Sequence, residues 1–223
     1  MKADNAEERM MKIIDEKWKF RINRVNVDVF SKMMNLFYEN ESIARAALIS
    51  LTASRLGLEL QAGVYCIAFE TICNSINKIY GLQAPHIIDE TQWHTIKHDL
   101  LDVIDSSSLP KEAKSFGKNK INNLNQSTNK DKLTLSFKAV GYNLSSEENK
   151  AIADRNLFLH GHLNINSGEK EIDKLFYTSI IFHRLCCTLI LKMSGFEGYI
   201  VNNNVLYATE INIITNEWGF KKI

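Results

Sequence analysis

Along most of this chain apolar residues recur at intervals of three and four, which places them on one face of an α-helix. In 5–21, Met10, Ile13, Ile14 and Trp18 form such a stripe, with charge on the opposite face. The pattern repeats in 27–38 and 42–56, on either side of the polar break Glu39-Asn40-Glu41-Ser42, where Ser42 can cap the second helix. Residues 58–80 are apolar on most sides through Val64, Ile67, Ala68, Ile72, Ile76 and Ile79. This predicts the central buried helix, ended by Gly81.

A further helix is predicted over 91–105, with Trp93, Ile96, Leu100 and Ile104 turned inward, until Ser106-Ser107-Ser108-Leu109-Pro110 breaks it. Ser145, with Glu148 three residues later, makes a capping box that starts a helix running into Arg155-Asn156-Leu157-Phe158-Leu159-His160-Gly161. Gly161 marks its end. After a polar loop over 164–168, a long apolar helix over 171–193, closed by Gly195, is expected to pack on the central helix. The alternating and β-branched residues of 199–207 flank an Asn-rich turn and predict a small hairpin. The expected fold is all-α: a helical bundle over 1–195 with an N-terminal helical extension, and a small C-terminal β-hairpin and tail over 196–223 packed on it. No internal repeat interrupts this plan.

Composition supports the same class. Two prolines and ten glycines are too few for the frequent turns of a β-sandwich, and 45% hydrophobic with 24% charged residues is an ordinary globular balance. A net charge of +1 supplies no global field for nucleic acid, so any RNA contact must be local. The one strongly basic stretch is 111–138, with seven lysines against Glu112 and Asp131, an excess of five. Its Lys111, Lys114, Lys118 and Lys120 are candidates for RNA-phosphate contacts or for a solvated helix face. The polar N-terminus lacks the apolar core of a signal peptide, and the apolar run 175–191 is broken by His183 and Arg184 and is short for a bilayer. A cytoplasmic protein without a membrane span is expected.

The chemistry concentrates in Arg155, Asn156 and His160. A histidine titrating near neutrality can move a proton at a ribose oxygen, a guanidinium can grip a phosphate through two hydrogen bonds, and an asparagine can orient either. Together they suit attack by an RNA 2′-hydroxyl on its own 3′-phosphate, which requires no metal or other cofactor. An ideal helix leaves Arg155 and His160 about 140° apart, so convergence on one pocket calls for an irregularity near Gly161. The plainer reading makes both residues helix-end cations favoured by the macrodipole.

The string from Arg155 to His160 resembles the R-x4-6-H signature of the HEPN superfamily, including the polar residue after the arginine. The His160-Gly161 pair, the long following helix and the ending Met193-Ser194-Gly195-Phe196-Glu197-Gly198-Tyr199 are similar to its ApeA-like branch, over roughly 27–203. The resemblance implies a helical bundle and an endoribonuclease, in bacteria commonly part of antiphage defence, abortive infection or a toxin system. It also implies a homodimer in which the motifs of two protomers face each other in a composite site, with a regulatory partner protein plausible. Glu70 falls where related proteins often carry an acidic residue beside the motif, so it is either the partner of Arg155 or a surface carboxylate. The tyrosine that some relatives carry two residues after the histidine is replaced by His162, a second proton carrier or a plain loop residue. The competing class is a non-catalytic module of the same shape that binds RNA, a nucleotide or a protein.

Two weaker constellations complete the reading. Glu90, His94, His98 and Asp102 make a ridge of metal-ligand type on one helix, but no second ligand-bearing helix accompanies it, so no metal is expected. Cys66, Cys73, Cys186 and Cys187 lie in apolar helices without C-x-x-C spacing and are expected to be buried thiols.

Overall fold

The computed structural model describes residues 24–159, 169–210 and 219–223. Among these it has nine helices and one two-stranded sheet: α1 Val27–Glu39, α2 Glu41–Ala53, α3 Leu58–Ile79, α4 Glu90–Ser106, α5 Lys111–Asn123, α6 Asn129–Ala139, α7 Ser146–Leu159, α8 Glu169–Met193, β1 Tyr199–Val201, α9 Asn203–Glu210 and β2 Phe220–Lys222. The all-α bundle with a small C-terminal sheet expected from the sequence is the architecture. The helix expected over 5–21 and the Gly161 terminus lie outside the described residues.

α3 is the axis of the bundle. α8, α2, α6 and α7 all lie against it, and α1 closes over α2 and α8. Its apolar residues on several sides explain this position, because Cys66, Ala68, Phe69, Ile72, Cys73 and Ile76 are each fully buried. Phe69 stands at the centre, with ring centroids 5.9 Å from Phe137 of α6 and 5.3 Å from Phe182 of α8. Tilted and offset aromatic pairs at such distances add to the area they bury. The α3 terminus is as expected: Gly81 adopts φ 61°, and the Leu82 amide donates back to the Asn77 carbonyl. α8 ends in the same way, Gly195 at φ 75° and the Phe196 amide on Leu191.

By length and composition Ile172–Met193 could cross a bilayer, longer than the apolar run suggested, but 67% of its most apolar 18-residue window is buried inside the bundle. It is the partner of α3 in the core, with Arg184 turned to an internal carboxylate described below.

Three local expectations are corrected. Ser42 does not cap α2: the break is a single residue, Asn40, whose side-chain amide donates to the Leu36 carbonyl while its own carbonyl receives the Ile43 and Ala44 amides. Ser42 is thereby drawn into the first turn. α4 forms, but buries no residue: Trp93 and Ile104 are half-buried and Ile96 and Leu100 exposed. α4 and α5 pack chiefly on each other as a helical hairpin, so only one side of the stripe finds cover. They approach closely at Gly117, where a Cβ would lie 2.7 Å from Ile104 Cδ1. The hairpin's base is stapled by buried Asn125, which accepts from the Ile88 amide and donates to the Ile88 carbonyl.

The third correction concerns the second strand. β1 pairs antiparallel not with Val205–Tyr207 but with β2, Tyr199 opposite Lys222 and Val201 opposite Phe220. Residues 203–210 form α9, which docks on α8 with the Tyr207 ring edge-on to Phe176 at 5.3 Å. Alternation over so few residues cannot separate a strand from one helical turn.

Candidate active site

α7 carries the Arg155 segment, and its start is fixed as the sequence predicts. The Ser145 amide donates to Glu148 Oε2 at 2.8 Å, and the Glu148 amide donates to Ser145 Oγ at 3.3 Å, the reciprocal capping box. Along its length Ala151, Ile152 and Phe158 are buried. Near its end it approaches α3 at Gly63, where a Cβ would lie 3.5 Å from the Phe158 carbonyl oxygen.

Arg155 points inward on this helix. Its side chain is 4% exposed, and its Nε donates to Glu70 Oε1 at 2.5 Å. Nη1 donates to the Ile152 carbonyl at 3.2 Å. Of the two readings of Glu70, the geometry gives the partner of Arg155, reached from the adjacent helix α3. Glu70 itself keeps 31% of its side chain in solvent, so the pair lies at the edge of the core rather than in its middle. Beside it is a small cleft of about 100 Å³ lined by Glu70, Asn74, Asn129, Lys132, Leu133 and Arg155.

The other sequence candidates are placed differently. Asn156, one residue on and therefore about 100° around the helix, is exposed and does not line this cleft. α7 is regular through Leu159, and His160 and His162 lie outside the described residues. Lys111, Lys114, Lys118 and Lys120 sit on α5 in the projecting hairpin, away from Arg155. Lys118 pairs with Asp105 at 2.6 Å, Lys114 donates to the Asp105 carbonyl, and Lys120 lies over the Phe116 ring at 5.3 Å. Part of the basic excess of this stretch is therefore spent on closing the hairpin.

Glu90, His94, His98 and Asp102 all lie on exposed α4, with His98 Nδ1 3.1 Å from Asp102 Oδ2. No group of three or more His, Cys, Asp or Glu with ligand geometry occurs among the described residues. Cys66, Cys73 and Cys186 are buried and Cys187 half-buried, and burial raises the pKa of all four thiols, keeping them protonated.

A buried polar network went unforeseen. Glu148 is fully buried, and besides its capping role it accepts from Tyr142 Oη at 2.7 Å, Arg184 Nη2 at 2.8 Å and Lys221 Nζ at 2.7 Å. Arg184 Nη1 also donates to Asn202. One carboxylate thus ties α7, α8 and β2 together. The signal was present in the sequence as Arg184 interrupting an apolar helix, because a charge there needs an opposite charge. The position of that charge, 36 residues earlier, was not.

Compared with protein-family models, curated proteins and solved structures, the chain matches none.

Proposed function

We propose that this chain is a HEPN-type endoribonuclease that cleaves RNA by attack of a 2′-hydroxyl on the adjacent phosphate, without a metal, as part of a bacterial defence or toxin system. The observation that carries the reading is Arg155: a guanidinium held in one orientation by Glu70 at the wall of a polar cleft, within the Arg155–His160 motif. Glu70 and the Ile152 carbonyl take two of its five N–H donors. The Nη2 donors have no partner among the described residues, and a fork with one side anchored and the other side available suits a phosphate. In this proposal His160 moves the proton from the attacking hydroxyl and to the leaving oxygen, Arg155 neutralises charge developing on the phosphate, and Asn156 on the adjoining face orients a group from the second protomer of a homodimer.

The test is incubation of the purified chain with mixed RNAs in EDTA, alongside His160→Ala and Arg155→Lys. Wild type is expected to cleave and both variants to lose at least a hundredfold, with a dimer on light scattering. Equal cleavage by all three removes the nuclease reading.

The burial of Arg155 favours a second reading, a non-catalytic module in which the Arg155–Glu70 pair simply joins α7 to α3. It predicts an RNA- or protein-binding chain with no cleavage by wild type.

A further inference from the structure

The small cleft at Arg155 does not end there. Asn74 and Lys132 also line a second cavity, of about 370 Å³, which continues along α3 and α6 to the loops at the base of the α4–α5 hairpin. Glu70, Asn74 and Asn77 are spaced four and three residues apart on α3, so they follow one face of the helix over about 10 Å. The second cavity is within the range of about 300–1,000 Å³ typical of sites that enclose a small molecule.

Its chemistry is specific. The polar side chains around it are the carboxamides of Asn74, Asn77, Gln83 and Gln126, the imidazole of His86, the hydroxyl of Ser127 and the ammonium of Lys132. No carboxylate lines this second cavity itself, although Glu70 shares the small cleft with Lys132 and Glu90 stands beside His86 at the far end; Lys132 forms no ion pair among the described residues. Carboxamides offer a donor and an acceptor side by side, the pattern that pairs with a base edge, and an unneutralised ammonium suits a phosphate. The walls are already fixed. Asn77 Nδ2 donates to the Lys132 carbonyl at 2.8 Å, and its Oδ1 accepts from Ser136 at 2.9 Å. His86 Nδ1 is 3.2 Å from the Asn125 carbonyl, and its Nε2 is 3.8 Å from Glu90 Oε1.

We infer that the groove from Arg155 past Asn74 and Lys132 to His86 holds one nucleotide of single-stranded RNA beside the bond to be broken. Its phosphate rests on Lys132 and its base edge lies against the carboxamides of Asn74 and Gln83, since Asn77 is engaged in the wall and Gln126 donates to Asn123. This rests on the nuclease reading for its substrate but makes a separate claim about where the strand lies. A duplex is excluded from the groove, since a base must leave its stack for its edge to be read in this way.

The experiment measures binding and cleavage apart. A labelled single-stranded RNA octamer is titrated into the full chain carrying His160→Ala, and into the same protein with Asn74→Ala and Lys132→Ala added. Loss of at least tenfold in affinity is expected, with the log–log salt dependence falling by roughly 0.7 as one phosphate contact disappears. Lys97→Ala, on α4, serves as the control and is expected to bind as the parent. Circular dichroism checks folding; Asn74 is exposed, and the bond Asn77 makes is to the backbone of Lys132. Affinity within twofold of the parent, or no binding of the octamer by the parent, overturns the groove. Binding of a free 5′-mononucleotide as tight as the octamer overturns the strand in favour of a nucleotide pocket. Binding that depends on the groove in a chain that does not cleave leaves this inference standing while the nuclease reading falls.

Discussion

Removing either half of the Arg155–Glu70 pair should not cost the same, and the inequality comes from solvent access. Arg155 is 4% exposed and Glu70 31%. In Glu70→Ala the guanidinium stays buried with only the Ile152 carbonyl for company. Breaking a fully buried pair in this way costs about 3–5 kcal/mol, whereas an exposed pair is worth about 0–1 kcal/mol. Partial exposure of the carboxylate places Glu70→Ala between these limits, at about 2 kcal/mol. For a chain of this size that is roughly 4–8 °C in Tm. In Arg155→Met, by contrast, Glu70 can turn into solvent and methionine fills much of the vacated volume, so the expected cost is only about 1 kcal/mol or less. The assay is thermal or urea unfolding of the two variants and the wild type, followed by RNA cleavage below the transition. A Glu70→Ala protein within 1 °C of wild type refutes the burial argument. A folded Arg155→Met protein that cleaves at the wild-type rate refutes the role of Arg155 at the phosphate, and leaves it a tether between α7 and α3.

Glu148→Gln removes the charge that Arg184 and Lys221 share, and should cost about 3 kcal/mol or more in urea unfolding; a loss under about 1 kcal/mol contradicts the network. Phe69→Ala empties the centre of the core and should cost about 3–5 kcal/mol, on the order of 10 °C in Tm. Burial holds the pKa of the His183 imidazole below its ordinary value, beside Tyr65 and with Cys187 Sγ 3.7 Å from Nε2. The unfolded chain therefore takes up a proton at a pH where the folded chain does not. The contribution of His183 to stability should be flat above about pH 6.5 and fall as pH drops through that value. His183→Phe should flatten that acid limb, and an unchanged slope counts against the assignment.

What the sequence determined by itself was local. Helical periodicity placed α1 to α4, α7 and α8 but not α5, α6 or α9, the Ser145–Glu148 box fixed the start of α7, and Gly81 and Gly195 ended α3 and α8, because caps and terminal glycines act within one turn. The pairing of Glu70 with Arg155 was legible only as one of two alternatives, and the structure chose it by setting α7 against α3. Everything that depends on which surfaces meet was left to tertiary structure. α4 carries the pattern of a core helix but has one neighbour, so its stripe is only partly covered. β1 found its partner at 220–222 rather than across the nearest turn, since three residues of alternation cannot specify register against a chain end brought back by the fold. The Glu148 network joins residues 36 and 73 positions apart, and the groove through Asn74 and Lys132 is built from helices and loops whose spacing along the chain carries no trace of their meeting. Side-chain chemistry is written in the sequence, but convergence is a property of packing.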